Sequence, residues 1–467
     1  MRAALGKAPP VAAKQPDAAF APSAPRAIAP ARGRPQAISS AYAPAPPEVQ
    51  VKTDWLAFWA SVAVILTFSQ FWVSLITGTG PGPIDEAVSA RVRNFYFPFY
   101  FVVLILGLTN LRATAKMIMR APLMTLLIAL PFISMLWSID PGVTVRRSIA
   151  VMFTSLAGVV IASRFKWATF LEVLATAFAI VVTLCYLYGA VIPDLGRMKV
   201  EFPGAWQGVW GHKNTLGFNA SIGFMIFASA AIANPRRWWL WAMFAVGALG
   251  LLFLSQSKTS LVSFAAGCAC IGMVALARRG PASAVLATFI GGAAVILLTF
   301  IIFADPDLLL GALGKDSTLT GRTKIWGAVL HQIHLRPVTG YGYGAVWDDT
   351  SIWGPLAWIS KEQGFTIHEA HNSWLGLWLE LGYFGVAVAA LLFIELWGRT
   401  LIAIYGQMRA YLALSFLAVF TLHTMTETEI MVQNDWLWMM FTAIAVKMTS
   451  PSEESTGRSA DLDQPSP

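Results

Sequence analysis

Long apolar segments alternate with shorter polar ones along most of this chain. Twelve segments approach the roughly 20 mostly apolar residues that a helix needs to cross a membrane. Lipid offers no hydrogen-bond partner to backbone amides and carbonyls, so each segment is predicted to be a helix. The predicted spans cover residues 55–76, 95–111, 121–138, 145–163, 167–190, 217–233, 238–255, 260–277, 283–303, 373–397, 410–426 and 430–449. The pattern therefore predicts an all-α polytopic membrane protein with about twelve transmembrane helices.

The composition supports the membrane class and separates both ends of the chain from the rest. Only 12% of the 467 residues are charged, against about 25% in soluble domains. Residues 1–52 are rich in Ala and Pro, and residues 450–467 are polar. Both are predicted to be disordered tails that flank one transmembrane domain, residues 53–449. The three cysteines lie inside apolar spans and imply no disulfide framework.

The distribution of basic residues predicts which side of the membrane each loop faces. With the amino-terminal tail inside, most of the 33 lysines and arginines lie in cytoplasmic segments, as the positive-inside rule requires. Both tails are then cytoplasmic, and the long segment 304–372 between the ninth and tenth spans lies outside. The formal charge of +8 comes from residues scattered between spans, so no nucleic-acid partner is predicted.

The polar stretch that closes the outer segment holds the densest candidate chemistry. His368, Glu369, His371 and Asn372 precede the tenth span. A neutral imidazole is the usual general base near neutral pH, which favours a direct role for His371. The two histidines are one residue closer than in the zinc-protease motif, and no thiolate lies nearby, so we predict no metal site. The alternative is a polar helix cap, with Asn372 or Ser373 starting the tenth span.

Two cations on the predicted outer side are candidates for binding an anion. Arg322 follows a glycine and opens a predicted amphipathic helix over residues 323–335. An anion there would gain from the helix amino-terminus and from the planar guanidinium; the alternative is a surface arginine that snorkels from an interfacial helix. Lys258 lies among hydroxyl side chains in a short turn between the seventh and eighth spans. Its alternative is a hairpin turn that happens to carry a lysine.

Other polar and aromatic residues of the outer segments are candidates for binding substrate. His212, Lys213 and Asn214 form a cationic patch before the sixth span, with a helix start capped by Asn214 or Thr215 as the alternative. Tyr341 lies in a turn-rich glycine loop, and its ring would offer a face to a sugar. Further aromatic residues that would do the same are Trp206, Trp210, Tyr343, Trp347, Trp353 and Trp358.

The sequence lacks the motifs that are typical of several function classes. The chain has no Walker loop and no nucleophile elbow, which argues against ATP-driven transport and serine hydrolysis. The polar residues cluster in outer loops rather than at the bilayer midplane, where transporter sites lie, although a polysaccharide transporter or flippase stays an alternative. The outer cations, histidines and aromatic residues together suit an anionic amphiphile, a lipid-linked phosphate with a polar head.

An ordered set of motifs resembles a known family. The motifs are Gly211 to Gly217, Ser255 to Ser260, Gly321-Arg322-Thr323 with Trp326, Gly340-Tyr341-Gly342, and His371-Asn372-Ser373 leading into Glu380 to Gly385. Their order and the long outer segment are similar to the O-antigen ligase and Wzy-type polysaccharide polymerase superfamily, over roughly residues 51–449. The His-Lys-Asn run and the Ser-Gln-Ser-Lys turn look closest to the exopolysaccharide polymerases.

The resemblance implies an inner-membrane glycosyltransferase of Gram-negative bacteria with a GT-C-like helical fold, whose long segment 304–372 is periplasmic. Such enzymes use undecaprenyl-diphosphate-linked glycans as donors and need no nucleotide sugar. In the ligases, two arginines and a histidine are central. Arg322 matches the second arginine and His371 the histidine, whereas Lys258 stands where the first arginine falls. Lysine keeps the charge of that position but loses the bidentate geometry.

These matches predict metal-independent polymerisation of lipid-linked repeat units into exopolysaccharide or capsular polysaccharide, with O-antigen ligase as the alternative. Arg322 and Lys258 would stabilise the leaving diphosphate, and His371 would orient or deprotonate the acceptor hydroxyl. The predicted substrate-binding residues are Lys213, His212, Asn214, Asn372, His368 and Tyr341. The expected partners are the lipid-linked oligosaccharide, the growing polysaccharide and membrane lipid, with a chain-length regulator and an export complex as candidates. No cofactor is predicted.

Overall fold

The computed structural model describes residues 54–77, 86–199, 202–304, 322–363, 367 and 369–450. The predicted amino-terminal tail, and the carboxy-terminal tail beyond Ser450, lie outside the described residues. In chain order, the helices are α1 Trp55–Phe68, α2 Val73–Thr77, α3 Glu86–Phe95, α4 Phe97–Leu108, α5 Leu111–Arg120, α6 Pro122–Ser134, α7 Pro141–Arg164, α8 Trp167–Val191, α9 Pro193–Gly196, α10 Lys213–Ala233, α11 Trp238–Leu254, α12 Lys258–Ala277, α13 Pro281–Ala304, α14 Arg322–Leu335, α15 Pro355–Gln363, α16 Ser373–Ala403, α17 Ala410–Thr424 and α18 Trp436–Met448.

The described part of the chain is helical, and its β structure is limited to an isolated bridge between Arg197 and Trp206. Seven of its helical segments are long and apolar enough to cross a membrane, or eight if the bent pair α5–α6 forms one span. The all-α polytopic membrane class predicted from the sequence is therefore confirmed. Each of the twelve predicted spans contains a helix. Since several of these helices are short, the count of twelve crossings stays a prediction, as does the side that each loop faces.

Polar residues at the ends of apolar segments start the helices. The carboxylate of Asp140 accepts a hydrogen bond from Val143 N at 2.9 Å, which starts α7. Such acceptors satisfy amides that have no partner within the helix. α10 begins after His212, whose Nδ1 accepts from Asn214 N at 3.2 Å. The alternative that placed a cap at Asn214 or Thr215 is therefore wrong, because an imidazole nitrogen already fills that role.

The basic residues between the second and third predicted spans lie on a helix of their own. Arg112, Lys116 and Arg120 belong to α5, which meets α6 at an angle of 92°. At the bend, Ala121 has φ −118° and ψ 62°. It cannot continue α5 because the ring of Pro122 disfavours the helical conformation for the preceding residue.

The helix α18 lies at the centre of the bundle. All of its residues are buried, which indicates a helix surrounded by other helices. It packs against α7 most closely at Gly158, where a Cβ would lie 2.3 Å from the carbonyl oxygen of Met439. Small residues permit such close contacts between helices in lipid. On another side, Phe441 stacks on Phe393 of α16, with ring centroids 5.1 Å apart.

The glycine-rich loop before residue 345 docks onto a break in α16. The backbone N of Tyr341 donates to Leu379 O at 2.9 Å, and Gly382 within α16 has φ 65° and ψ −162°. A Cβ on Gly382 would lie 2.0 Å from the carbonyl oxygen of Val338, so this position needs glycine both for its backbone and for space. The turns predicted in this loop, and the helix predicted just before it, are confirmed. The docking holds α14 beside the start of α16.

Candidate active site

The segment before α16 presents His371 from a tightly held backbone. His371 has φ 49°, a left-handed conformation that is uncommon for residues other than glycine. Beside it, Asn372 caps α16: its Oδ1 accepts from the N atoms of Trp374 and Leu375, each at 3.0 Å. Its Nδ2 donates to the carbonyl oxygen of Met425 at 3.1 Å. The helix-cap alternative is thus confirmed for Asn372, and the cap ties the start of α16 to the end of α17.

Glu427 joins the imidazole of His371 to the guanidinium of Arg322. Its Oε2 lies 3.2 Å from His371 Nδ1, and its Oε1 lies 2.6 Å from Arg322 Nη2. Arg322 Nη1 also donates to the carbonyl oxygen of Thr426. The side chains of Arg322, Glu427 and His371 are 19%, 28% and 33% exposed, so a substrate can reach all three. We call these three residues the His–Glu–Arg cluster.

A second carboxylate lies beside the same nitrogen of His371. Glu369 Oε1 is 3.2 Å from His371 Nδ1, as is Glu427 Oε2, but the Glu427 contact is the one with hydrogen-bond geometry. Both carboxylates approach Nδ1, which favours the tautomer with its proton on that nitrogen. Nε2 is then the ring nitrogen with a lone pair that can accept a proton from a substrate.

The pKa values of His371 and Glu427 shift in opposite directions. The hydrogen bond to Glu427, assisted by the charge of Glu369, raises the pKa of His371 although burial opposes the shift. Burial would raise the pKa of Glu427, but His371, Arg322 and His423 outweigh it and lower the pKa to about 2. Burial raises the pKa of Glu369, with the charge of Glu427 adding to the shift and that of His371 opposing it. Glu427 is therefore ionised at neutral pH and stabilises the protonated imidazole.

Lys258 belongs to a second polar group, formed where two helix amino-termini meet. Lys258 is the first residue of α12, and Ser257 before it donates from Oγ to Asn214 Oδ1 at 2.9 Å. Asn214 lies in the first turn of α10 beside Lys213, whose Nζ lies 3.5 Å from the ring centroid of Phe202. The structure thus brings the predicted residues Lys258, Lys213 and Asn214 into one group. Helix amino-termini favour anions, which suits a phosphate there.

Phe218 and His423 connect the two polar groups. Phe218 lies one turn after Asn214 on α10 and stacks on His423, with ring centroids 3.5 Å apart. His423 lies in the last turn of α17, and its carbonyl oxygen accepts from Glu427 N at 2.9 Å. Among the described residues, no hydrogen bond or ion pair joins Lys258 directly to the His–Glu–Arg cluster. The stacked rings of Phe218 and His423 provide one contact between the helices that carry the two groups, and α12 also packs directly on α17.

Two predicted substrate-binding residues lie away from these groups or outside the described chain. Tyr341 is 6% exposed, its hydroxyl donates to Gln332 O at 3.1 Å, and the Cζ of Arg336 lies 5.0 Å from its ring centroid. The phenol therefore supports the fold of the loop, and a role in binding sugar stays a prediction. His368 lies outside the described residues.

Part of the chain matches a known protein family. Residues 243–390 match the family described as O-Antigen ligase, and this segment includes Lys258, Arg322 and His371. This segment is similar to the O-antigen ligase family. The resemblance predicted from the motifs is thereby confirmed.

The chain is also similar to a protein of exopolysaccharide production. The chain is 29% identical over 294 residues to the exopolysaccharide production protein ExoQ of Rhizobium meliloti (strain 1021). The alignment covers 60% of this chain and 64% of the relative, so the chain spans less than two thirds of that protein's length. The chain is therefore similar over this length to a protein of exopolysaccharide production.

Sequence reasoning missed Glu427, which lies beyond the segment that matches the family. Glu427 is 105 positions from Arg322 and 56 from His371, and no local pattern reveals contacts at such separations. One signal was present: Glu427 and Glu429 stand in a short polar break between the last two apolar spans. Carboxylates that interrupt apolar segments usually have a partner or a function.

Three residues around His371 could hold a metal ion. Glu369, His371 and Glu427 each offer one ligand atom, and these atoms lie within 4.8 Å of one another. Histidine and carboxylates are common metal ligands. Arg322 lies 2.6 Å from Glu427, however, and its charge would repel a divalent cation at this position. The metal-independent chemistry that the family resemblance implies therefore stays our expectation.

Proposed function

We propose that this chain is a membrane glycosyltransferase that polymerises undecaprenyl-diphosphate-linked oligosaccharide repeat units into exopolysaccharide or capsular polysaccharide. The reaction would take place at the periplasmic face of the inner membrane, without a metal ion. The observation that carries the proposal is the His–Glu–Arg cluster, which holds a base and a cation on the two oxygens of one carboxylate. Two of its residues, Arg322 and His371, lie in the segment similar to the O-antigen ligase family, and this match and the similarity to a protein of exopolysaccharide production support the proposal.

In the proposed reaction His371 acts as the general base. Its Nδ1–H is hydrogen-bonded to Glu427, so Nε2 would accept the proton of the acceptor hydroxyl as the acceptor oxygen bonds to the anomeric carbon of the donor. The bond from that carbon to the diphosphate oxygen breaks, and undecaprenyl diphosphate leaves with the electron pair. Glu427 stabilises the imidazolium that forms and is the positioning residue for the base.

Arg322 would stabilise the negative charge that develops on the leaving diphosphate. Its contacts with Glu427 Oε1 and Thr426 O use two N–H groups, whereas a guanidinium has five. The remaining donors can serve a phosphate while Glu427 keeps the side chain in place. Lys258 and Lys213 would add positive charge from the group at the starts of α10 and α12, where the helix amino-termini also favour an anion.

Two substitutions in cells test the proposal. In a host that depends on this chain for its polysaccharide, His371→Ala and Arg322→Ala should each abolish high-molecular-weight polymer while the protein level in the membrane is unchanged. His334→Ala is a matched control, since His334 is an exposed histidine at the end of α14. Unchanged polymer length and yield in both variants would refute the assignment of the site.

The family description makes O-antigen ligase the second candidate function. Both reactions use a lipid-diphosphate donor, and they differ in the acceptor. A deletion strain that loses high-molecular-weight exopolysaccharide but keeps normal lipopolysaccharide favours the polymerase. A strain whose lipopolysaccharide lacks its O-chain while long lipid-linked polymer accumulates favours the ligase. Membrane lipid, the growing polysaccharide, a chain-length regulator and an export complex are the partners proposed for the polymerase.

A further inference from the structure

A cavity lies at the far end of α14 from Arg322. Its volume is about 630 Å³, within the range of sites that hold small organic molecules. Residues of its wall that carry polar or aromatic groups are His331, Gln332, Arg336, Asp349, Trp353 and Trp358. Arg322 is the first residue of α14 and His331 the tenth, so the cavity begins roughly 14 Å along the helix from the cluster.

Two indole rings line this cavity, Trp353 from a turn and Trp358 from α15. Trp353 is 79% exposed and Trp358 is 46% exposed. The turn before them is held by hydrogen bonds from Ser351 N to Asp349 Oδ1 at 2.9 Å and from Gly354 N to Ser351 O at 3.1 Å. Trp353 is therefore exposed on a segment with fixed backbone hydrogen bonds, and with Trp358 it gives the cavity wall an aromatic surface.

The charged side chains that line the cavity do not pair with each other. Arg336 and Asp349 both line it, yet neither forms an ion pair among the described residues. The Cζ atom of Arg336 instead lies 5.0 Å from the ring centroid of Tyr341. This contact leaves N–H groups of the guanidinium that can donate to a ligand. Asp349 Oδ1 accepts from Ser351 N, whereas Oδ2 is buried without a hydrogen-bond partner and is the acceptor left for a ligand. Flat apolar rings beside separate donors and acceptors match a sugar, which has apolar C–H faces and a rim of hydroxyl groups.

We propose that this cavity binds the saccharide chain of the substrate several sugar units from the reacting bond. Trp353 and Trp358 would lie against sugar ring faces, and Arg336 and Asp349 would hydrogen-bond to hydroxyl groups. This inference rests on the proposed function, since α14 links the cavity to the cluster where the lipid diphosphate would lie. A glycan that starts beside Arg322 would have to extend roughly 14 Å along α14 to reach the cavity. Aromatic residues are also common at the lipid interface, but the charged residues of the cavity wall favour a hydroxyl-rich ligand.

Direct binding to the purified full-length chain in detergent tests the proposal. The probe is a set of oligosaccharides released by partial acid hydrolysis of the host's own exopolysaccharide, with maltoheptaose as the unrelated sugar, and binding is measured by titration calorimetry. Trp353→Ala and Asp349→Asn should each weaken binding about tenfold or more, since each removes a stacking or hydrogen-bonding contact. Trp238→Ala is the matched control, because Trp238 is a 58% exposed indole at the start of α11, and it should bind as the wild type does.

The outcomes separate this inference from the proposed function. His371→Ala should bind the oligosaccharides normally while it makes no polymer. If His371→Ala makes normal polymer and Trp353→Ala still loses binding, the proposed reaction fails and the saccharide site stands. Wild-type affinity in both Trp353→Ala and Asp349→Asn, or no binding by the wild-type chain, would overturn the saccharide site. A size-exclusion profile like that of the wild type excludes unfolding as the cause of a loss.

Discussion

The Nδ1 atom of His371 lies 3.2 Å from Oε2 of Glu427, a residue 56 positions further along the chain. The other oxygen of the same carboxylate, Oε1, lies 2.6 Å from Nη2 of Arg322. One side chain therefore orients the proposed base and holds the proposed phosphate-binding cation. A change at Glu427 should alter both, although Glu427 itself need not touch the substrate.

Replacing Glu427 by glutamine tests this positioning role. The Glu427→Gln variant keeps the shape of the side chain but loses the charge that stabilises the imidazolium and pairs with Arg322. We expect transfer activity to fall by about 10- to 100-fold, as when a group that orients a functional ligand is removed. The measurement is the rate of transfer from a lipid-diphosphate donor by purified protein.

The control for Glu427→Gln is Glu395→Gln. Glu395 is also ion-paired, with 2.8 Å between Glu395 Oε1 and Arg399 Nη2, but it lies near the opposite end of α16. Its substitution should leave the rate unchanged. Equal rates in wild type and Glu427→Gln would contradict the positioning role.

The pH dependence of the rate follows from the pKa of His371. Glu427 raises that pKa above its ordinary value of 6.5, and a general base must be neutral to act. The rate should therefore rise with pH as His371 loses its proton. In Glu427→Gln the pKa of His371 falls, so this rise should move to lower pH even as the maximal rate decreases. A rise at the same pH in both proteins would show that another group limits the rate.

The pair of His371 and Glu427 also makes stability depend on pH. Whereas the rate should rise with pH, the stability should fall. The pair of protonated His371 and ionised Glu427 adds its full stabilisation above the unfolded Glu427 pKa of 4.5 and below the unfolded His371 pKa of 6.5, and the stabilisation is lost as pH rises through the raised folded pKa of His371. The wild type should therefore lose part of its thermal stability over that interval, and Glu427→Gln should lose less. Melting curves in detergent across this pH range measure the difference.

Arg322 should not be replaceable by lysine without loss. Its two Nη atoms contact Thr426 O and Glu427 Oε1 at once, a geometry that one ammonium group cannot reproduce. Arg322→Lys should keep some activity through its charge but fall by about tenfold, whereas Arg322→Ala should lose nearly all of it. Lys166→Ala, at an exposed lysine before α8, is the control. Full activity in Arg322→Lys would show that charge alone suffices.

Gly382 should be required for the fold of the glycine-rich loop before residue 345. Gly382→Ala would force a side chain into φ 65° and ψ −162° and within 2.0 Å of Val338 O. We expect a cost of about 1–3 kcal/mol or more and a clearly lower melting temperature in detergent. Gly398→Ala in the same helix is the matched control, since no atom lies within 4 Å of its added Cβ and alanine favours helices. Equal melting temperatures in the two variants would contradict the role of the break in α16.

Local patterns predicted the helices well because they depend on runs of apolar residues and on nearby caps. The helix at residues 322–335 and the turns after it followed from apolar spacing and glycines. Glu427 could not be predicted in this way, since it meets His371 and Arg322 through the tertiary packing of α14, α16 and α17. The break at Gly382 was also missed, because an apolar run gives no sign that a distant loop will insert there.

Transfer by the purified chain tests the central claim most directly. The full-length protein in detergent would receive an undecaprenyl-diphosphate-linked repeat unit, with no nucleotide sugar, no metal and no membrane gradient, and the products would be separated by size. We predict a ladder of lengthened lipid-linked saccharides with the wild type and none with His371→Ala. An equal ladder from His371→Ala, or no transfer by the wild type, would contradict the account.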